Sequence, residues 1–314
     1  MPTIQEYISQ IQTMHNPSFQ RIRSIACNTI MSLPEAERNE LFNSLGRGVN
    51  LLDSHEQLCQ YLYSYGNMHE EKIHAALNHL QPSAYSGKTI QIIDWGCGQG
   101  LATVCFFDYL HEHNVRADVS HITLIEPSRS ALDRAKLHVQ AYVDTEKISA
   151  LQRYANEITV EDIVSDVDVT IHFFSNILDV ESVDVRQLAQ TVADVICGEH
   201  FFVCVGPMNA NNQRIDAFYN WFQNPELIWA ACHNKENHSY TARYKVFKVE
   251  RYETGAVLVR YNPPKQFHAA YRLDCVKDAF ASDAQTDTRD KVDALYKSLS
   301  AFECTSPLNN WTKL

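Results

Sequence analysis

Through the first 85 or so residues, apolar positions return every three or four residues, as in TIQEYISQIQTM and SFQRIRSIACNTIMSL. This is the period of helices with one buried face. A third helix is opened by Ser32 and Pro34 and closed by Gly46, and DSHEQLCQYLYSY and MHEEKIHAALNHL predict two more, separated by a turn at Gly66. Near Ser86 and Gly87 the texture changes to short apolar runs alternating with amphipathic stretches. That alternation predicts strands and helices wound around a parallel sheet. The strands fall at Ile90 to Asp94, Ile122 to Ile125, Ile148 to Arg153, Val167 to Phe174 and His200 to Val205. Helices fill Leu101 to His113, Ser130 to Tyr142, Val185 to Ile196 and Arg214 to Gln223.

Beyond these the alternation stops. Tyr244 to Glu250 and Ala256 to Tyr261, joined through Glu253-Thr254-Gly255, predict an antiparallel hairpin. A polar stretch, Ser282 to Thr288, leads to a last helix around Arg289 to Phe302. The expected fold is therefore α/β: a doubly wound, mostly parallel seven-stranded sheet ending in an antiparallel hairpin and preceded by helices. The divisions are residues 1–86 (helical lid or recognition segment), 87–264 (core) and 265–314 (helical extension).

Composition narrows the class. With 45% apolar and 21% charged residues and a net charge of −11, the chain has the makeup of a globular protein with a sizeable core. The N-terminus lacks a basic region followed by an apolar one, and no apolar run approaches the ~20 residues that span a bilayer. A soluble cytoplasmic protein with no membrane partner is expected. The nine cysteines include no C-x-x-C pair, which leaves zinc ribbons and disulfide frameworks unsupported. Neither His69, His74 and His79 nor His111 and His113 have the spacing with an acid that a helical zinc site shows, so no metal is expected.

The most informative stretch is Ile92-Ile93-Asp94-Trp95-Gly96-Cys97-Gly98-Gln99-Gly100, a buried strand running into alternating glycines and then a helix. Glycine permits unusual backbone angles and lets a ligand approach the main chain. A P-loop is excluded because no Lys follows Gly100, and a dinucleotide loop would need glycine where Leu101 stands. The next strand ends at Glu126, followed by Pro127 and Ser128. A carboxylate there can accept hydrogen bonds from both hydroxyls of a ribose, the same physics that places an acid on the ribose of NAD.

The G-x-G-x-G loop preceded by an acid, with the acid after the second strand, resembles the class I S-adenosylmethionine-dependent methyltransferases over roughly residues 88–260. The runs YGNMHEEK, DWGCGQG, LIEPS and FSNILD are similar to a bacterial group of these enzymes. The resemblance implies S-adenosylmethionine as cofactor, held by Asp94 at its methionine end, by Gly96, Cys97, Gly98 and Gly100, by Glu126 and Pro127 at the ribose, and by Asn156 or Glu157 near adenine. Ser175, Asn176 and Asp179 would stand beside the transferable methyl. Asp179, Asn176 and His172 are the candidate catalytic groups, and Tyr65 and His69 the candidate substrate contacts. A nicotinamide-dependent oxidoreductase and a catalytically silent cofactor-binding scaffold are the alternatives.

The acceptor is open to nucleic acid, protein or small molecule. From Tyr154 to Val185 there are eight acids and no Lys or Arg, a rim that repels phosphate backbones. From Tyr240 to Arg272 seven basic residues face two acids and interleave with aromatic rings, a pattern that can hold single-stranded nucleic acid. Asn262-Pro263-Pro264-Lys265 lacks the ring that an amino-group methyltransferase motif needs after its prolines, and is expected to be a loop.

Overall fold

In the computed structural model the chain divides into two units, Met1–Arg251 and Tyr252–Leu314. The structure describes residues 3–46, 50–163, 167–234 and 240–251, all within the first. Four helices come first: α1 (Ile4–Gln12), α2 (Phe19–Met31), α3 (Glu35–Ser44) and α4 (His55–Leu77). The alternating part follows as β1 (Thr89–Trp95), α5 (Leu101–Glu112), β2 (Asp118–Ile125), α6 (Arg129–Val139), β3 (Ile148–Leu151), β4 (Val169–Ser175), α7 (Val185–Val195), β5 (Gly198–Gly206) and α8 (Arg214–Tyr219). It ends with β6 (Glu226–His233) and β7 (Ala242–Arg251).

These strands form one sheet in the order β3-β2-β1-β4-β5-β7-β6. The first five are mutually parallel, and β7 is antiparallel to both β5 and β6. Strand order therefore reverses at β1 and β4, where a doubly wound sheet opens a crevice beyond its carboxyl ends. Side-chain alternation builds two cores. Ile90, Ile92, Phe173 and Val203 pack with α1, α2, α4, α5 and α6, whereas Ile93, Trp95, Phe174 and Phe202 pack with α7 and α8. The N-terminal helices share the first core with the sheet, as Tyr7, Ile22 and Leu62 do.

Three expectations need correction. Tyr244 to Glu250 is a strand, but its hairpin partner is β6, which the sequence reading missed; residues 256–261 and 289–302 lie outside the described residues. Gly66 does not separate two helices. It lies within the 23-residue α4, where a Cβ would come within 2.9 Å of Arg23 Cδ. Arg23 uses that notch to donate to the Leu62 and Tyr63 carbonyls at 3.1 and 3.0 Å, so the glycine serves close packing of α2 on α4.

His172, expected at the reacting centre, is instead fully buried in the second core. Trp95 Nε1 donates to its Nδ1 at 3.2 Å, its Nε2 faces His200 Nδ1 at 2.9 Å, and its ring stacks on Phe202 at 4.6 Å. It lies three residues short of the end of β4, within the sheet and not at the carboxyl ends where the crevice opens. Burial, reinforced by His200, holds its pKa well below the usual histidine value. The unfolded chain thus takes up a proton near pH 6.5 that the folded state refuses, so the stability carried by neutral His172 is lost as pH falls below that value. In denaturant titrations His172→Phe will not share this loss. Relative to it, the natural protein will weaken by about 1.4 kcal/mol per pH unit below ~6.5.

Candidate functional site

The parallel register sets Trp95 against Ile125, so the residues after β1 and β2 begin at the same level. There the glycine loop turns into α5. Gly96, Gly98 and Gly100 have φ of +62°, +53° and +76°, a region costly for residues with a Cβ. The three glycines differ in their surroundings. A Cβ on Gly96 would meet Ile177 at 2.7 Å, one on Gly100 would meet Ala135 of α6 at 3.3 Å, and one on Gly98 would meet nothing within 4 Å. Gly98 is the member of the loop that faces open space.

That space is a cavity of about 720 Å³ beyond the carboxyl ends of β1, β2, β4 and β5. Glu126 and Gly98 line one part, together with Pro127 and Asn156. Glu126 is 9% exposed and accepts from Gly98 N at 3.1 Å and from Ser128 N at 2.9 Å. Burial raises its pKa against the pull of these two N–H groups. Asn156 reaches the cavity wall, but its side chain is committed to the Ser182 carbonyl and the Asp184 N–H.

Asp94, Cys97 and Gly100 do not line the cavity. Asp94 is buried and accepts from Thr103 N and Oγ1 at 3.3 and 2.8 Å. It therefore caps the first turn of α5, a task Gly100, the residue at the cap, has no side chain to perform. Desolvation raises its pKa to about 7 despite the two Thr103 hydrogen bonds. Cys97 is likewise buried, and its N–H ties the loop to the Ile125 carbonyl at 2.9 Å.

Past β4, Ser175, Asn176 and Asp179 all line the cavity, as do Tyr65 and His69 of α4. Asn176 has a left-handed φ of +58°, and its Nδ2 donates to His69 Nδ1 at 3.0 Å. His69 Nε2–H then faces the Tyr61 hydroxyl at 3.0 Å. Burial, with Lys72 nearby, pushes the His69 pKa down to about 3; the ring is neutral and positions Asn176. Asp179 Oδ2 accepts from Asn209 at 3.0 Å, while its Oδ1 is buried without a hydrogen-bond partner among the described residues. The loop carrying it is held by Arg214 of α8, whose Nε donates to Leu178 O at 2.6 Å and whose Nη2 donates to Val180 O at 3.0 Å and to the Val183 carbonyl.

Sequence reasoning missed Lys72. It lines the same cavity and is 3% exposed, and its ammonium lies 5.4 Å from the centre of the Tyr240 ring. Desolvation pushes its pKa down to about 8, offset in part by Asp179. Tyr61, Tyr65, His69 and Lys72 form one stripe at spacings of four, four and three, which is a helix face. Placing a turn at Gly66 cut that stripe in two and hid it.

No protein-family model matches this chain, and no curated protein matches it. Among solved structures it is similar to a SAM-dependent methyltransferase of Leishmania major, with 11% identity and a TM-score of 0.43 over 66% of this chain and 82% of that one. It is similar to the N-methyltransferase NodS of Bradyrhizobium japonicum, with 10% identity and a TM-score of 0.42 over 60% and 99%. It is also similar to the geranyl diphosphate C-methyltransferase of Streptomyces coelicolor, with 10% identity and a TM-score of 0.39 over 73% and 97%.

The loop geometry separates two glycine substitutions. Gly98→Ala will cost only the strain of a positive φ, about 1–2 kcal/mol, because its methyl enters open space. Gly96→Ala will cost more, because Ile177 must also move. Chemical denaturation of the two variants checks the difference, and equal losses would refute this account of the loop.

Proposed function

We propose that the chain is a class I methyltransferase that binds S-adenosylmethionine in this cavity and passes its methyl group to an acceptor. The observation that carries the reading is that Gly98, open and without a Cβ, and the carboxylate of Glu126 face one cavity where strand order reverses. The residues fit a nucleoside. Each oxygen of Glu126 already accepts one main-chain N–H, and each keeps a lone pair for a ribose hydroxyl. Ile125, Ala155 and Val183 supply apolar wall for a base.

S-adenosylmethionine supplies a methyl group activated by the sulfonium that carries it. The chain's own task is then to hold and orient. Glu126, Gly98 and Pro127 hold the nucleoside. Asn176, fixed by His69, and Ser175 stand at the end of β4 beside the reacting centre, and Asp179 offers a carboxylate to a proton that must leave the acceptor. The helices of residues 1–86 act as a lid through α4, whose stripe walls the cavity.

A dinucleotide is the weaker reading. The close approach of the loop to α6 is made at Gly100, and position 101 is Leu, so the third glycine of a dinucleotide fingerprint is missing. A nucleic-acid acceptor gains nothing from the described part of residues 240–272. Tyr240, Tyr244 and Phe247 are buried there. Arg243 and Lys245 pair with Asp216, and Lys248 pairs with Glu199, Glu226 and Glu250.

Calorimetric titration with S-adenosylmethionine, S-adenosylhomocysteine and NAD tests the assignment. The two sulfur nucleosides will bind, and Glu126→Ala will weaken them about 10- to 100-fold, as expected for the loss of hydrogen bonds to a charged group. Binding of NAD alone would move the chain to the oxidoreductases.

A further inference from the structure

Helix α4 crosses the strand ends from one side of the cavity to the other. Its Leu58 carbonyl accepts from Gln99 in the glycine loop, His69 meets Asn176 at the end of β4, and Lys72 lies over Tyr240, which precedes β7. In the strand order β2-β1-β4-β5-β7, Glu126 therefore marks one end of the cavity and Lys72 the other. Asp179 belongs to the Lys72 end, because a Cβ on Gly206, the last residue of β5, would lie 3.9 Å from its Oδ1.

Both groups are incomplete as they stand. Lys72 has no hydrogen-bond or ion-pair partner among the described residues, although it is almost wholly buried. Asp179 has one oxygen fixed by Asn209 and the other, Oδ1, buried and unpartnered. The two do not form an ion pair with each other. Buried charges are ordinarily paired, and an unpaired one is among the costliest features a fold carries. A cation and a carboxylate that face one cavity without touching match a ligand bearing both charges.

Resting on the cofactor site proposed above, we infer that Lys72 and Asp179 are the acceptor's binding site, and that the acceptor is a small amino carboxylate. Its anionic group meets the Lys72 ammonium and its amine meets the Asp179 carboxylate. A polyanion is disfavoured, because Glu126, Glu157 and Asp179 line the same cavity, and of its two cations, Lys72 and Arg153, the second is already paired with Asp162. The same zwitterionic chemistry exists at the amino-acid end of the cofactor, so the test must tell the two sources apart.

The full chain and its Lys72→Met, Lys72→Arg and Asp179→Asn variants are titrated with S-adenosylhomocysteine and with 5′-deoxy-5′-methylthioadenosine, the same nucleoside without the amino-acid end. Each protein, saturated with S-adenosylhomocysteine, is then titrated with the proteinogenic amino acids, their decarboxylated amines and their deaminated acids. Both nucleosides will bind all four proteins within about twofold, as expected if neither group touches the cofactor. One or more amino acids will bind the loaded natural protein, and the amines and acids will not. Lys72→Met and Asp179→Asn will each weaken that binding about tenfold or more, the effect of removing one charged partner from a buried pair. Lys72→Arg will restore part of it.

Weakening of S-adenosylhomocysteine but not of methylthioadenosine in the variants would give the pair to the cofactor and overturn the inference. So would amino acids that bind no loaded protein, or bind the variants equally well. Failure of both nucleosides to bind the natural protein is a separate result, which rejects the cofactor reading and this inference with it.

Discussion

The hydrogen bond from the Gly98 amide to the Glu126 carboxylate is the constraint on which the cavity rests. It joins the ends of two parallel strands whose register brings them level, and it does so with a carboxylate that is almost fully buried. A buried carboxylate is tolerated only when donors surround it. Here the donors are main-chain amides of the two turns themselves, Gly98 on one side and Ser128 on the other. The backbone is thereby shaped around the charge, and the glycine loop cannot relax into an ordinary helix start without stripping Glu126 of a partner.

The second requirement is a roof. Helix α4 supplies it by running unbroken across the strand ends, and it can do so because Arg23 occupies the notch at Gly66. Its two faces have different duties. Cys59, Leu62, Ile73 and Leu77 belong to the buried core, whereas Tyr61, Tyr65, His69 and Lys72 line the cavity. The helix is therefore a structural member on one face and a wall of the cavity on the other.

Much of this was legible in the sequence, for local reasons. The five parallel strands announce themselves as apolar runs, and the glycine loop and the acid after β2 are set by backbone geometry and by chain position. What was not legible depends on packing. Strand β6 sits at the sheet edge with a half-exposed pattern, Glu226-Leu227-Ile228-Trp229, that carries no clean alternation. His172 follows a strand into a core that no local pattern reveals, and Asp94 turned out to serve a helix end because Gly100 has no side chain to cap it. Gly66 looks like a break until the arginine of another helix is seen to fill it. Lys72 is lost with it, since its significance comes from the cavity and not from its neighbours in the chain.

The loop after β4 owes its course to a single side chain. Three of its carbonyls are gathered by the guanidinium of Arg214, which lies about 30 residues further along the chain. A guanidinium keeps its charge across the whole pH range in which proteins fold. The peg on which the loop hangs therefore keeps its charge and its donors at any pH at which the fold stands.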